Sequence, residues 1–334
     1  MDKDFYRKKR PGTRTPSVLP GRMERTARRG RMWDLCAVLL FLLLLPYACS
    51  LLFGGKTDRQ TVQLPEEEGE RMVLLEEHAG EIRLPMEAYV EGALAASISA
   101  TSEKETLKAQ AIILRTLAQK AWEERKDTSV NWVRAEEIGQ SYLDMEERRE
   151  LWGEAFEENQ DAIASAVSET QGMVLIKDGN LLEPAYFRLS AGRTRDGLEV
   201  LGEGYEYLVS VDCSHDVEDA SYSNSVVVEK DAFWDALGSA AEGKVTLVRD
   251  SADYVLYVEY GETAISGEAF RSLFGLPSSC FTIKEENGRI VLNSFGVGHG
   301  LGFCQSEANR RAKEGEDYLS LLKNFFEGAQ IQKI

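Results

Sequence analysis

Residues 84–116, LPMEAYVEGALAASISATSEKETLKAQAIILRT, constrain the fold more than any other stretch of this chain, because they spell two successive one-sided helices. Leu84-Pro85 opens the first: proline at a helix start costs nothing, since its missing N–H would have no partner there. From Met86 onward Met86, Tyr89, Val90, Ala93, Leu94 and Ser97 recur at three- and four-residue steps, the period of one helical face. That face is expected to be buried. Ser102-Glu103-Lys104-Glu105 has the spacing of a capping box, and Leu107, Ala111, Leu114 and Ala118 then form a second stripe running to about Trp122. A short Ser/Ala/Thr turn joins the two. Glu87 and Glu91 are expected on the solvated side of the first helix as a like-charged i,i+4 pair. Glu103 and Glu105 are expected in the first turn of the second, complementing its dipole.

Charge divides the chain. Residues 1–32 carry eleven Lys or Arg against three acids, which leaves 28 basic and 53 acidic side chains in the rest, a net of −25. An acidic body is a poor fit to a nucleic-acid or anionic-membrane binder. The basic segment precedes an uncharged run, residues 35–53, long enough to cross a bilayer. The positive-inside rule puts residues 1–32 in the cytoplasm and everything after Gly54 outside. A cleaved signal peptide is the competing reading; the run is longer than a usual h-region and no small-x-small site follows, which favours a retained anchor. Pro46-Tyr47 is a poor lead-in for lipid attachment at Cys49. Residues 54–70 are Gly-rich and then acidic, as a linker would be.

Past the linker, residues 71–75 and 81–84 read as a small hairpin around His78-Ala79-Gly80, with His78 a solvated turn residue. Residues 123–170 are charged and partly helical, with helical spacing from Met145 to Val167. The period then changes: 173–176, a turn at Asp178-Gly179-Asn180, and 183–187 predict a hairpin. Strands at 245–248 and 254–258, a short helix over 267–274 and a following strand make residues 226–290 a strand-rich insertion that returns to the core. Beyond the membrane run lie Cys213, Cys280 and Cys304, an odd number, so a full disulfide framework is excluded while one bridge between two of them stays open. Cys213 and His215 form only a C-x-H pair, short of the three or four ligands zinc requires, so no metal or other cofactor is expected.

At the far end, FGVGHGLGFCQ, residues 295–305, alternates four glycines around His299, which implies backbone packed at close range where side chains would not fit. A helix from Ala308 to Gly328 closes the chain.

LPMEAYVEG, then LKAQAIILRT, resembles the signature of the stage II sporulation protein D and amidase-enhancer family, roughly LPLEDYV-G-V-AAEMP followed by LKAQA-AARTY. The likeness continues in Gln140-Ser141-Tyr142, similar to the family's CQ-Y segment; in YFRLSAGRT, residues 186–194, similar to its YHS-SGG-T loop; and in GVGHGLGFCQSEA, similar to GWGHGVGMSQYGA. It implies a bacterial cell-wall protein acting on peptidoglycan glycan strands during forespore engulfment, with lytic transglycosylase activity. It also implies company: an amidase/endopeptidase (stage II sporulation protein P) and a membrane scaffold (stage II sporulation protein M). By the same resemblance Lys108, Gln110 and Arg115, with Lys108 and Arg115 nearly on one helical face, are expected to hold the strand, together with Tyr186, Ser190, Gly192, His299 and Gln305.

The departures matter as much. With LKAQA aligned, the family's catalytic glutamate falls on Ser97. A lytic transglycosylase must protonate the glycosidic oxygen and later accept a proton from the attacking hydroxyl; a carboxyl in a cleft can be tuned for that, a serine hydroxyl cannot. Glu91 lies about 240° around the helix from Ser97, so rescue by it is not indicated, and Glu103 and Glu105 belong to the next helix. Some family members carry His and Cys around the YHS-SGG-T loop and bind zinc. Here Phe187 or Arg188 stands at the His position, and Gly139 where some carry Cys.

The reading is therefore α+β: a single-pass transmembrane helix over 33–53 after the basic segment 1–32, a linker over 54–70, and a mixed helical and strand-rich ectodomain over 71–334. Its expected function is to engage glycan, either without cutting and in partnership with an amidase, or as an active transglycosylase using another carboxylate. A purely structural wall anchor is the third possibility.

Overall fold

A computed structural model of the chain describes residues 70–77, 80–238 and 243–334. Among these no helix is long and apolar enough to cross a membrane; the run 35–53, the basic segment, the linker before residue 70 and His78 lie outside them. The described chain is mixed helix and strand.

The first sheet is built as the sequence implies. β1 (Met72–Glu77) and β2 (Gly80–Pro85) pair antiparallel with Met72 opposite Pro85. Met72 to Leu75 are buried without alternation because β1 is central: β3 (Trp132–Arg134) pairs along its other edge in parallel. Pro85 ends β2 and caps α1 (Met86–Ser97), whose first amide donates to the Arg71 carbonyl at 2.9 Å. Tyr89, Val90, Ala93 and Leu94 are fully buried, as the stripe requires, each large one contributing about 1.5–3 kcal/mol.

α2 (Lys104–Glu124) is the central helix and has almost no wet face through its middle. Ala109, Ile112 and Ile113 enter a core with Phe187, Phe303, Phe325 and Phe326. Leu107, Ala111, Leu114 and Ala118 enter a second core with α1. The expected capping box does not form. Glu103 is the N-cap and makes no side-chain cap, and its amide instead donates to Asn309 Oδ1 at 2.7 Å, from the far end of the chain. Glu105 accepts from Lys108 at 2.8 Å and from the Tyr318 amide at 3.0 Å.

α3 (Ala135–Ile138) ends at Gly139, and the spacing from Met145 to Val167 resolves into α4 (Met145–Trp152) and α5 (Phe156–Glu169), broken at Gly153, where φ is 52°. Asp144 starts α4 with a full capping box closed by Glu147. β4 (Met173–Lys177) turns into β5 (Asn180–Leu181), but the hairpin's second arm stops after two residues. β6 (Tyr186–Phe187) leaves for a different partner, and α6 (Gly197–Leu201) follows.

The insertion spans β7 (Ser223–Glu229), α7 (Lys230–Ala236), β8 (Val245–Arg249), β9 (Val255–Tyr260), β10 (Thr263–Ser266), α8 (Gly267–Leu273), β11 (Phe281–Glu286) and β12 (Arg289–Phe295). It has its own aromatic core, in which Phe270 stacks on Phe281 at 4.7 Å. β13 (Phe303–Cys304) then pairs in parallel with β6 and leads into α9 (Gln305–Lys313). The closing helix is thus two, α9 and α10 (Tyr318–Phe325), and β14 (Gln330–Lys333) adds an antiparallel strand to β4.

Glu87 and Glu91 are not a solvated like-charged pair: each meets a buried arginine. Arg115, with no exposed surface, makes a fork to Glu87 with bonds of 2.7 to 3.1 Å and also donates to the Met173 and Val167 carbonyls. Glu91 faces Arg148 at 3.9 Å and accepts from Gln160. Replacing Glu87 by Ala leaves the Arg115 charge buried alone and is expected to destabilise the protein by about 3 kcal/mol, the low end because Glu87 is 30% exposed. An R115M/E87L double variant is expected to recover part of that loss in urea denaturation; an E87A variant as stable as wild type overturns the assignment.

Candidate functional site

Ser97 is the last residue of α1, where helical carbonyls lose their amide partners. Gln305, the first residue of α9, supplies one: its Nε2 donates to the Ser97 carbonyl at 2.9 Å and to Gln110 Oε1 at 3.3 Å. The Ser97 hydroxyl donates back to the Leu94 carbonyl at 3.2 Å. Residues far apart in sequence are thereby held together by one amide.

Tyr186 lies beside this point. Its hydroxyl donates to Gln140 Oε1 at 2.7 Å, burial raises its pKa, and the neighbouring Ser97 hydroxyl acts in the other direction. Because β6 and β13 pair in parallel, with Phe303 opposite Tyr186, the glycine-rich loop before β13 runs alongside. Gly296, Gly298, Gly300 and Gly302 all have positive φ, between 74° and 119°. At Gly302 a Cβ would stand 2.3 Å from the Ala185 carbonyl oxygen, and at Gly296 it would stand 2.7 Å from that of Leu189. The alternation of glycines is this close approach of two loops.

His299 projects from that loop. Its ring lies 5.7 Å from the Phe187 ring, and its Nδ1 accepts from the Leu301 amide at 3.1 Å, which leaves the proton on Nε2, toward the Tyr186 carbonyl. Arg195 fixes the loop from the insertion side: it pairs with the buried Asp250 at 2.5 Å and donates to the His299 carbonyl at 3.1 Å. A cavity of about 480 Å³ opens here, lined among others by Leu117, Gln140, Glu183, Tyr186, Tyr205 and His299.

Of the residues singled out from the sequence, Tyr186 and His299 line this cavity, and Ser97, Gln110 and Gln305 meet one another through the Gln305 amide beside Tyr186. Ser190 and Gly192 shape the adjoining loop: the Ser190 amide donates to Asp216 at 2.8 Å and the Gly192 amide to Ser190 Oγ at 3.0 Å. Lys108 and Arg115 are placed elsewhere than on a strand-binding face. Lys108 is held by Glu105 and Glu169, and although its burial works against the charge, those carboxylates raise its pKa. Gln110 is fully buried, so it meets Gln305 rather than solvent. The reason is the same for all three: α2 is enclosed on both sides.

Glu183, Gln140 and Tyr205 were not among the expected contacts. Glu183 precedes a proline in a stretch read as plain strand, and only the early end of that hairpin turns its carboxylate to the cavity. The carboxylates nearer to Ser97 in sequence, Glu91, Glu103 and Glu105, do not line it.

The positions where some family members carry zinc-binding His and Cys offer no donor here: Phe187 is apolar and buried, Arg188 donates to Ser221, and Gly139 has no side chain. Nor do Cys213 and His215 act together. His215 is exposed on the 3-10 turn Ser214–Glu218, whereas Cys213 faces Asp216 and Cys304.

The family model for the stage II sporulation protein SpoIID matches residues 79–176. The chain is 30% identical over 261 residues to stage II sporulation protein D of Bacillus subtilis (strain 168), covering 75% of each chain. Against the Bacillus amyloliquefaciens protein of the same name it is 27% identical over 260 residues, again 75% of each. To the amidase enhancer of Bacillus subtilis it is 21% identical over 227 residues, 50% of this chain and 32% of that one. The chain belongs to the stage II sporulation protein D family.

Burial lowers the His299 pKa; Glu268 and the Tyr186 carbonyl oppose this, while Arg271 and Arg195 add to it. The unfolded chain then binds the extra proton first as pH falls below about 6.5, so this contribution to stability is full above that pH and declines below it. The imidazole is expected to titrate below the ordinary histidine value by NMR. In H299Q the part of the stability loss between about pH 7.5 and 5.5 that belongs to this group should vanish; an unchanged pH profile overturns it.

Proposed function

We propose that this protein is a membrane-anchored, sporulation-associated cell-wall protein that engages peptidoglycan glycan strands during forespore engulfment without cutting them. The observation that carries the reading is Ser97. Where the family resemblance expects a carboxylate, the chain has a hydroxyl bonded to its own helix at 3.2 Å, and a hydroxyl cannot deliver a proton to a glycosidic oxygen near neutral pH. The surroundings remain suited to sugar: a phenol, an amide and an imidazole line one cavity. The names of its relatives, a sporulation protein and an amidase enhancer, support a role beside an amidase, and the motif resemblance adds a membrane scaffold to the proposed company. The basic segment and the uncharged run 35–53 support a single-pass anchor with the N-terminus in the cytoplasm and the rest outside.

One observation favours a second reading, an active lytic transglycosylase. Glu183 lines the same cavity as His299, with Tyr205 Oη 3.5 Å from its Oε2.

The deciding assay incubates the full chain with purified glycan strands and reads 1,6-anhydro-muramic products by mass spectrometry, with strand pelleting as the binding readout. Wild type is expected to bind and yield no product, and Ser97→Glu to cut at least about a hundredfold above it. Product from wild type overturns the non-cutting reading; its loss in E183Q then assigns the acid. Absence of binding by wild type overturns glycan engagement altogether.

A further inference from the structure

Cys213, Asp216 and Cys304 converge beneath the loop that carries Ser190. Their ligand atoms, two thiol sulfurs and a carboxylate oxygen, lie within 4.8 Å of one another, and all three residues are buried. Cys213 and Cys304 have no exposed surface and Asp216 is 3% exposed. Cys213 is the N-cap of the 3-10 turn Ser214–Glu218 and Asp216 its middle residue, while Cys304 arrives 88 residues later as the N-cap of α9.

The carboxylate is what makes this cluster unusual. A buried carboxylate is ordinarily compensated by a cation or by several donors. Here the Ser190 amide donates to Asp216 Oδ2 at 2.8 Å and the Cys304 thiol at 3.1 Å, and among the described residues no lysine or arginine pairs with it. Arg195–Asp250, Arg115–Glu87 and Arg148–Glu91 show how the same fold compensates its other inward carboxylates, each with an arginine. At Asp216 the place of the cation is bordered by two sulfurs instead.

We infer that Cys213, Asp216 and Cys304 form a structural site for a thiophilic divalent cation of the zinc class. Both thiols lose their protons to solvent as the ion binds, and two thiolates, one carboxylate and the dication sum to −1. The Ser190 amide remains as a donor to the carboxylate, and the Glu307 amide, at the start of α9, points to the Cys304 sulfur. Thiolate and carboxylate are both ordinary zinc ligands, and with the atoms within 4.8 Å of one another and the Cys304 sulfur 3.1 Å from Asp216 Oδ2, side-chain shifts of up to about 1 Å bring the spacings to those of a tetrahedron. Such an ion ties the Ser190 loop, the 3-10 turn and α9 together. Cys304 is joined directly to Gln305, whose amide holds the Ser97 carbonyl, so the ion fixes one wall of the proposed groove from behind.

The test uses the full chain, solubilised in detergent and purified without added metal or chelator. Native mass spectrometry with elemental analysis is expected to find one zinc per chain, and thiol titration to count Cys213 and Cys304 as reactive only after a chelator is added. C213S and C304S should lose the ion and D216N should weaken its binding by more than about tenfold, whereas C280S, in a separate cluster, should keep it. Should the variants fail to fold, cobalt loading of the wild-type protein decides, since coordination by both sulfurs gives a thiolate-to-cobalt charge-transfer band. A chain two hydrogens lighter with Cys213 bridged to Cys304, or one with free thiols that retains neither zinc nor cobalt, overturns the site.

Discussion

The structure depends on α2 being buried along two sides at once. A helix enclosed in this way cannot leave its polar ends to water, and its neighbours in sequence do not finish it. The amide of its N-cap Glu103 meets Asn309 from α9, its Glu105 receives the Tyr318 amide from α10, and its Arg115 is neutralised by Glu87 from α1. Each of these bonds joins a different part of the chain to the same rod. The two apolar cores on its flanks are large, but they set no register by themselves; the polar bonds do. That is why the beginning and end of the described chain meet at Ser97 and Gln305.

The position of the cavity follows from this. With α1 and α9 both tied to α2, the end of one helix and the start of another face each other, and an unpaired carbonyl is matched to a side-chain amide. The parallel pairing of β6 with β13 then lays the glycine loop against Tyr186, and Arg195 braces that loop from the insertion through Asp250. The insertion is therefore more than an appendage with its own aromatic core. It sets the height of His299.

How much of this was legible in the sequence varied with the range of the interaction responsible. The helices of residues 84–124 are a local, periodic signal, and they appear where the period puts them. The cap of α2 was not legible, because its acceptor stands at Asn309 and a plausible local substitute, Ser102, happened to precede it. Lys108 and Arg115, seven residues apart, do lie nearly on one helical face, but only a helix with a wet face presents such a pair to a ligand. The consecutive Ile112-Ile113-Leu114 was the sign that this helix does not. The early end of the 173–187 hairpin hid Glu183, and the cysteine cluster was half visible: Cys213 and Asp216 are three apart, but nothing local brings in Cys304.

Position 97 shows how chemistry and architecture separate in this fold. What the structure uses there is the backbone: the Ser97 carbonyl accepts the Gln305 amide, and that bond does not depend on which side chain the residue carries. The serine hydroxyl adds one bond to its own helix at 3.2 Å and nothing to another element beyond its place beside Tyr186. A carboxylate at this position would have to be partly desolvated beside the Tyr186 phenol, which costs free energy. With serine the same walls stand without that cost.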